Sequence, residues 1–127
     1  MIVVDASVLI AHLDERDALH ARAGRALLEA ADRRFGCSLI TLAEVLVGPA
    51  RHNRLDTARA AVAELEIEAI PFGEDAPVRL ASLRAESGLK LPDCCVLLAA
   101  QDAAADAVLT FDDSLARAVE RLGMRAG

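Results

Sequence analysis

The sequence predicts an α/β fold, a three-layer α/β/α sandwich around a central parallel sheet of four to five strands. Short apolar runs alternate along the chain with segments whose apolar residues recur at helical spacing, and such helices usually connect parallel strands. The composition agrees, because 27 Ala and 19 Leu favour packed helices. At 127 residues the chain has the size of one domain, so we expect a single domain over residues 1–127.

The first half of the chain carries clear start and stop signals. Asp17 is placed to cap a helix and Gly36 to end it, and Thr41 begins a short helix that Gly48 and Pro49 end. The predicted elements are, in order, a strand over 2–4, a helix over 7–13, a helix over about 17–34, a strand over 37–40, a helix from 41 and a helix over about 55–65.

The second half continues the alternation. Gly88 closes one helix, Pro92 stands in the first turn of the next, and Asp112 or Asp113 caps the last. The predicted elements are a strand over 67–70, a helix over 74–87, a helix over about 91–105, a strand over 107–110, a helix to about 122 and a short edge strand over 123–125.

Charge and composition limit the possible functions. The chain has 14 basic and 20 acidic residues, a net charge of -6, and no Trp or Tyr, which argues against a broad basic surface or a base-stacking platform. Cys37, Cys94 and Cys95 have neither disulfide nor zinc spacing and are expected in the core. No apolar run approaches the roughly 18 residues of a membrane span, so we expect a cytoplasmic protein without a membrane partner.

Four acidic residues stand where a parallel sheet gathers its ligand site, at or just after strand ends: Asp5, Glu44, Asp93 and Asp112. Three of them also have structural explanations. Thr41 and Glu44 match a capping box, Asp112 is a plausible N-cap, and Asp93 lies in a first turn where the helix dipole favours negative charge. Asp5 differs, because it interrupts an otherwise apolar run and needs donors or a metal ion to compensate its burial.

The joint pattern indicates a metal site. Oxygen ligands from several carboxylates select hard cations such as Mg²⁺ or Mn²⁺, and converging carboxylates would repel one another without one. Whether one or two ions bind stays open. Part of the acidity would then belong to the site itself, so the net charge does not exclude a nucleic-acid substrate.

These residues resemble the four acidic motifs of the PIN domain family, in order and over essentially the whole chain. The motifs are Val4-Asp5-Ala-Ser7-Val-Leu-Ile, Leu42-Ala-Glu44-Val, Leu91-Pro92-Asp93 and Val108-Leu-Thr110-Phe-Asp112. The size of the chain is similar to that of the VapC toxins of toxin–antitoxin pairs. The resemblance implies that Asp5, Glu44, Asp93 and Asp112 are the catalytic and metal-binding residues, with Ser7 and Thr110 in support. The Thr-x-Asp pattern selects Asp112 over Asp113, which we expect to cap the last helix.

The resemblance also implies a function and partners. The family's activity is metal-dependent cleavage of RNA, often of tRNA or ribosomal RNA. Similar toxins form homodimers and are held inactive by an antitoxin.

Two other interpretations stay open, a Mg²⁺-dependent phosphotransferase or phosphatase-like domain and a catalytically silent interaction module. The phosphotransferase fits poorly, because Ser7 stands where a second aspartate is needed and Lys90 is the only lysine.

Basic and imidazole side chains outside the motifs give weaker signals. Arg16, Arg51 and Arg54 are candidates for local phosphate contacts, although solvation or pairing with Asp14 and Asp56 is the simpler expectation for each. The three histidines show no metal-ligand or triad spacing. We expect His12 to pack within its helix and His20 and His52 to be solvated.

Overall fold

A computed structural model describes all 127 residues and confirms the α/β prediction. Five strands and seven helices follow one another along the chain: β1 (Ile2–Val4), α1 (Ala6–Leu13), α2 (His20–Glu29), β2 (Phe35–Ser38), α3 (Leu39–Arg51), α4 (Leu55–Glu64), β3 (Glu68–Ile70), α5 (Ala76–Ser87), α6 (Leu91–Asp102), β4 (Ala107–Leu109), α7 (Asp113–Arg121) and β5 (Arg125–Ala126). No helix is both long and apolar enough to cross a membrane.

The strands form one parallel sheet in the order β3-β2-β1-β4-β5. β1 is central and buried on both faces, as its β-branched sequence predicts. Val4 points to one face, where α1–α4 contribute to the core, and Val3 points to the other, where α5–α7 pack. The order reverses at β1, so its carboxyl end lies at the crevice where sheets of this kind bind ligands.

The second predicted helix is shorter than the sequence indicates. It covers His20–Glu29, and Asp17 accepts a hydrogen bond from the Leu19 N–H at 2.8 Å in the turn before it. Gly36 does not end this helix but lies within β2. A Cβ on Gly36 would stand 2.6 Å from Met1 Sδ and 2.7 Å from Ile70 Cδ1, so the close approach of these two side chains explains the glycine.

The third predicted helix is longer than expected. α3 begins at Leu39 and runs through Gly48 and Pro49 to Arg51. Pro49 is tolerated because the helix ends within one turn and only one intrahelical hydrogen bond is lost. The Pro49 carbonyl instead accepts the N–H groups of His52 and Arg54 at 3.2 and 2.9 Å, which end the helix.

The three cysteines are buried and free, as their lack of spacing predicts. Cys37 Sγ donates to the Val4 carbonyl at 3.0 Å. Burial, followed by the charges of Asp5 and Glu44, raises the pKa of the Cys37 thiol to about 12. The thiol therefore stays neutral and is not a thiolate ligand or nucleophile.

Candidate active site

Asp5 lies at the carboxyl end of the central strand, between β1 and α1. Its N–H donates to the Leu109 carbonyl at 2.9 Å, which attaches the end of β1 to the end of β4. Asp5 is the N-cap residue of α1, but its side chain makes no capping hydrogen bond. The residue is only 6% exposed. A buried carboxylate that does not cap its helix requires other partners.

Two hydroxyl groups supply partners for one oxygen of Asp5. Ser7 Oγ and Thr110 Oγ1 each donate to Asp5 Oδ2 at 2.8 Å. The same hydroxyls accept the backbone N–H groups of Phe111 and Asp112, both at 3.0 Å, so their orientation is fixed from two sides. Asp5 Oδ1 takes part in no hydrogen bond. The network therefore holds the carboxylate and leaves one oxygen available for a ligand.

Glu44 lies on α3, and the start of that helix decides between its two interpretations. Ser38 is the N-cap, and its Oγ accepts the Thr41 N–H at 3.1 Å. Thr41 is inside the helix and fully buried, so the predicted Thr41–Glu44 capping box is wrong. Glu44 makes no hydrogen bond or ion pair and is half-buried. Capping therefore does not account for this carboxylate.

Asp93 lies in the first turn of α6, the helix that is buried over Cys94–Ala100. Pro92 stands in the first turn of this helix, and Lys90 is its N-cap residue without a side-chain cap. Asp93 is half-buried and also makes no hydrogen bond. The helix dipole favours a negative charge on Asp93, but burial of the side chain opposes that charge.

The carboxylates act on one another electrostatically. Burial is the largest cause of a raised pKa at Glu44, and the charges of Asp5 and Asp93 add to it. Burial also raises the pKa of Asp93, with further contributions from Asp5 and Asp112 that Lys90 opposes only weakly. Four acidic side chains from four separate elements thus share one region of negative potential.

Asp112 has a structural role as well as this position. Its Oδ1 accepts the Leu115 N–H at 2.8 Å and caps α7. The expectation that Asp113 caps the helix is wrong, because Asp113 is already the first helical residue. Asp112 is exposed, and its second carboxylate oxygen has no partner, so capping occupies only half of the group.

The donor set suits a hard cation. The four candidate ligands are all carboxylates, and the mutual repulsion of Glu44, Asp93 and Asp5 is what a divalent ion would relieve. As the side chains stand, no three His, Cys, Asp or Glu residues are grouped closely enough to hold one ion between them. Mg²⁺ in proteins usually binds one or two carboxylates and completes its shell with water and phosphate oxygens, so this arrangement fits.

Sequence reasoning missed one cation near this network. The guanidinium of Arg22, on α2, lies 4.6 Å from the centre of the Phe111 ring. Phe111 stands between Thr110 and Asp112, so Arg22 brings positive charge close to the end of β4. No local signal could reveal this contact, because it joins α2 to a segment far along the chain.

His12 and His20 lie next to each other on α1 and α2. His12 packs on α1 against His20, with ring centroids 6.4 Å apart. His20 was expected to be solvated, but it is half-buried and its Nδ1 lies 2.9 Å from the Ala11 carbonyl oxygen. His12 Nδ1 is buried without a partner. Neither ring takes part in the Asp5 network.

Comparison with known proteins decides the family. The model of the PIN domain matches residues 2–120, which include all four acidic positions. The chain belongs to the PIN domain family. No curated protein sequence matches it significantly.

Solved structures share this PIN domain fold. One is a toxin–antitoxin complex from Klebsiella pneumoniae, with 30% identity, a TM-score of 0.74 and coverage of 88% of this chain and 87% of that one. The Mycobacterium tuberculosis VapC20, described as a Sarcin-Ricin loop cleaving toxin, has 20% identity, a TM-score of 0.76 and coverage of 93% and 95%. VapBC2 from Rickettsia felis bound to a promoter DNA fragment has 15% identity, a TM-score of 0.72 and coverage of 100% and 98%.

Proposed function

We propose that this PIN domain chain is a metal-dependent endoribonuclease and the toxin of a VapBC-type toxin–antitoxin pair. The observation that carries the proposal is the buried Asp5, which two hydroxyls hold by one oxygen within the electrostatic field of Glu44 and Asp93. A buried carboxylate with acidic rather than basic neighbours favours cation binding over an ion pair.

Asp5 and Asp93 would hold Mg²⁺ or Mn²⁺, with Glu44 and Asp112 contributing directly or through water. When bound, such an ion activates water as a nucleophile and neutralises charge that develops on the phosphate. Asp112 has one oxygen committed to capping α7, so only the other is free for this role.

The supporting residues fix the position of Asp5. Ser7 and Thr110 each have a single hydroxyl proton, and both protons point to Asp5 Oδ2, which keeps Oδ1 directed away from them. With water as the nucleophile, the chain needs no nucleophilic side chain. This agrees with the neutral Cys37 thiol and with histidines that lie outside the Asp5 network.

The relatives support the toxin proposal and suggest the RNA class. The Klebsiella pneumoniae chain, 30% identical, comes from a toxin–antitoxin complex. VapC20 is described as cleaving the Sarcin-Ricin loop. We therefore propose a structured RNA, either ribosomal RNA or tRNA, as substrate. We also propose an antitoxin protein as partner, a homodimer as the active form and the cytoplasm as the site of action.

Incubation of the purified protein with tRNA or a ribosomal RNA fragment tests the activity. We expect endonucleolytic products with Mg²⁺ or Mn²⁺ and none with chelator or with Asp5→Asn. Cleavage that survives both changes would contradict the proposal. Transfer of label from a phosphodonor would favour a phosphotransferase, and the absence of both activities would favour a silent interaction module.

Expression in a bacterial host tests the toxin role separately. We expect the wild-type chain to arrest growth and the Asp5→Asn chain at the same protein level to leave growth unchanged. Equal growth of the two strains would contradict the toxin role without affecting the nuclease assignment, which the purified protein tests.

A further inference from the structure

A groove opens next to the acidic site, between α1, α3 and α4. Its volume is about 420 Å³, within the range of about 300–1,000 Å³ that is usual for sites of small ligands. Glu44 contributes to its lining, so the groove is continuous with the acidic site. Apolar groups form much of the wall, among them Ile10, Val45, Pro49 and Ala58. We call this cavity the Glu44 groove.

Basic side chains line the same groove. Arg16, His52 and Arg54 all contribute to it, whereas Arg51 does not. Arg54 makes no ion pair, although Asp56 stands two residues away in sequence. Arg16 Nε lies 3.8 Å from Asp14, but its side chain is 88% exposed, so the pair is weak in water. Asp14 also lines the groove, so its available positive charge is the unpaired guanidinium of Arg54 and the loosely paired one of Arg16.

The turn between α3 and α4 holds these groups in place. The N–H groups of His52 and Arg54 both donate to the Pro49 carbonyl. Asn53, between them, has φ of 55°, a left-handed conformation that Asn adopts more readily than most residues. The backbone on both sides of the turn is thus fixed against α3, and it presents His52 and Arg54 to the groove.

We propose that the Glu44 groove is a nucleotide subsite that binds the RNA nucleotide flanking the cleaved bond. The base would lie on the apolar wall that Ile10 and Pro49 expose, and Arg54 and Arg16 would contact phosphate. Positive charge directly beside a carboxylate site suits a polyanion that must reach that site, and an apolar wall suits a base. This inference rests on the proposed function, and it assigns the groove a part in selecting where RNA is cut.

Two glycines provide a matched test. Gly48 lines the Glu44 groove, and Gly24 lines a separate cavity beside His12. Both lie within helices, and a Cβ added at either position meets no atom within 4 Å. Leucine at either site also has a higher helix propensity than glycine, so neither change should unfold the protein. Gly48→Leu fills the groove, whereas Gly24→Leu fills the separate cavity beside His12.

The primary readout is equilibrium binding of a short single-stranded RNA, measured with chelator so that no cleavage occurs. We expect Gly48→Leu to weaken binding about tenfold and Gly24→Leu to leave it unchanged. Arg54→Ala should also weaken binding, and it should reduce the slope of log K against log salt by about 0.7, the value for one lost phosphate contact to a single strand. Arg51→Ala removes the same charge outside the groove and should change neither the RNA affinity nor the salt slope.

Cleavage kinetics give a second readout. We expect Gly48→Leu and Arg54→Ala to raise KM about tenfold with kcat nearly unchanged, since neither residue contacts the reacting phosphate. If Gly48→Leu and Arg54→Ala bind and cleave RNA as well as Gly24→Leu and Arg51→Ala, the nucleotide subsite is overturned while the nuclease assignment stands. RNA binding that depends on the groove would support the subsite even if no cleavage is observed.

A protein is the competing occupant of the groove. If Gly48→Leu and Arg54→Ala retain normal RNA binding but release an antitoxin that wild type and both control variants retain, the groove is a protein-binding site and the nucleotide subsite is overturned. If RNA binding falls in both variants, the nucleotide subsite is supported.

Discussion

Thr110 Oγ1 donates a 2.8 Å hydrogen bond to Asp5 Oδ2 and joins two residues that are 105 positions apart in the chain. The bond connects the ends of β1 and β4, which are neighbours in the sheet. Asp112, two residues after Thr110, donates its N–H to the same hydroxyl. One threonine therefore orients a buried carboxylate and links it to the segment that carries another acidic residue.

Thr110→Val removes this donor while keeping the shape of the side chain. We expect RNA cleavage to fall about 10- to 100-fold, because Asp5 loses one of the two groups that fix its orientation. The free energy of unfolding should fall by about 1–3 kcal/mol, because the Asp112 N–H also loses its acceptor. Thr110→Ser is the matched control and should retain most of the cleavage rate and most of the stability. Equal activity of the valine and serine variants would show that the hydroxyl does not position Asp5.

Glu44→Gln should stabilise the metal-free protein at neutral pH. Burial and the charges of Asp5 and Asp93 raise the pKa of Glu44, so the ionised group opposes folding. The rise in Tm should be about 2 °C, a small value because the side chain is only half-buried. The variant should at the same time lose activity, which is the usual trade-off at a functional site. A metal-free glutamine variant less stable than wild type would contradict the proposed repulsion.

The pH dependence of this effect has a definite sign. A raised pKa in the folded state means that folding favours the protonated carboxyl. The penalty is therefore absent below the ordinary carboxyl pKa of about 4, grows as pH rises and is complete above the raised pKa. The stability difference between Glu44→Gln and wild type should be close to zero near pH 3 and largest at pH 7. Thermal unfolding across this range, in the presence of chelator, measures it.

His12 should make the protein less stable in mild acid. Burial, followed by the charge of His20, lowers the pKa of His12, so the folded state resists the protonation that the unfolded chain accepts. Neutral His12 carries no such penalty above the ordinary histidine pKa of about 6.5. As pH falls below that value, the folded state loses stability relative to the unfolded chain. We expect His12→Gln to lose less stability than wild type between pH 7 and pH 5. His52→Gln is the control and should lose as much stability as wild type. An equal loss in His12→Gln would show that His12 does not cause the acid sensitivity.

Divalent ions should stabilise the folded protein. Binding to the native state alone raises Tm with ligand concentration, so Mg²⁺ or Mn²⁺ should raise the Tm of wild type. Asp5→Asn should show no such rise. The comparison requires no substrate, so it tests ion binding apart from cleavage. An identical rise in both proteins would place the ion elsewhere.

The sequence predicted most of the fold because its signals are local. An apolar β-branched run marked β1, and Gly88, with φ of 73°, closed its helix as expected. The errors have tertiary causes. Gly36 belongs to β2, where Met1 and Ile70 approach too closely to admit a Cβ, and α3 passes Pro49 to end at the turn in which the Pro49 carbonyl accepts the N–H groups of His52 and Arg54. Neither contact is visible in a sequence window.

The candidate site was predictable in composition but not in detail. Strand ends identify Asp5, and the same sheet rule brings Thr110 beside it. The choice between capping and function at Glu44 required the true start of α3, where Ser38 is the cap. Pattern alone could not show that Asp112 rather than Asp113 caps α7, because a shift of one residue decides the N-cap.

In the proposed function, carboxylates from separate elements form one metal-dependent site for RNA cleavage. The most direct test compares the Mg²⁺-dependent cleavage rate of Asp93→Asn with that of Asp113→Asn, an exposed residue outside the proposed set. We predict a loss of about 100-fold or more for Asp93→Asn, with its fold intact, and wild-type rates for Asp113→Asn. Equal cleavage rates in the two variants would show that Asp93 has no part in the proposed metal site.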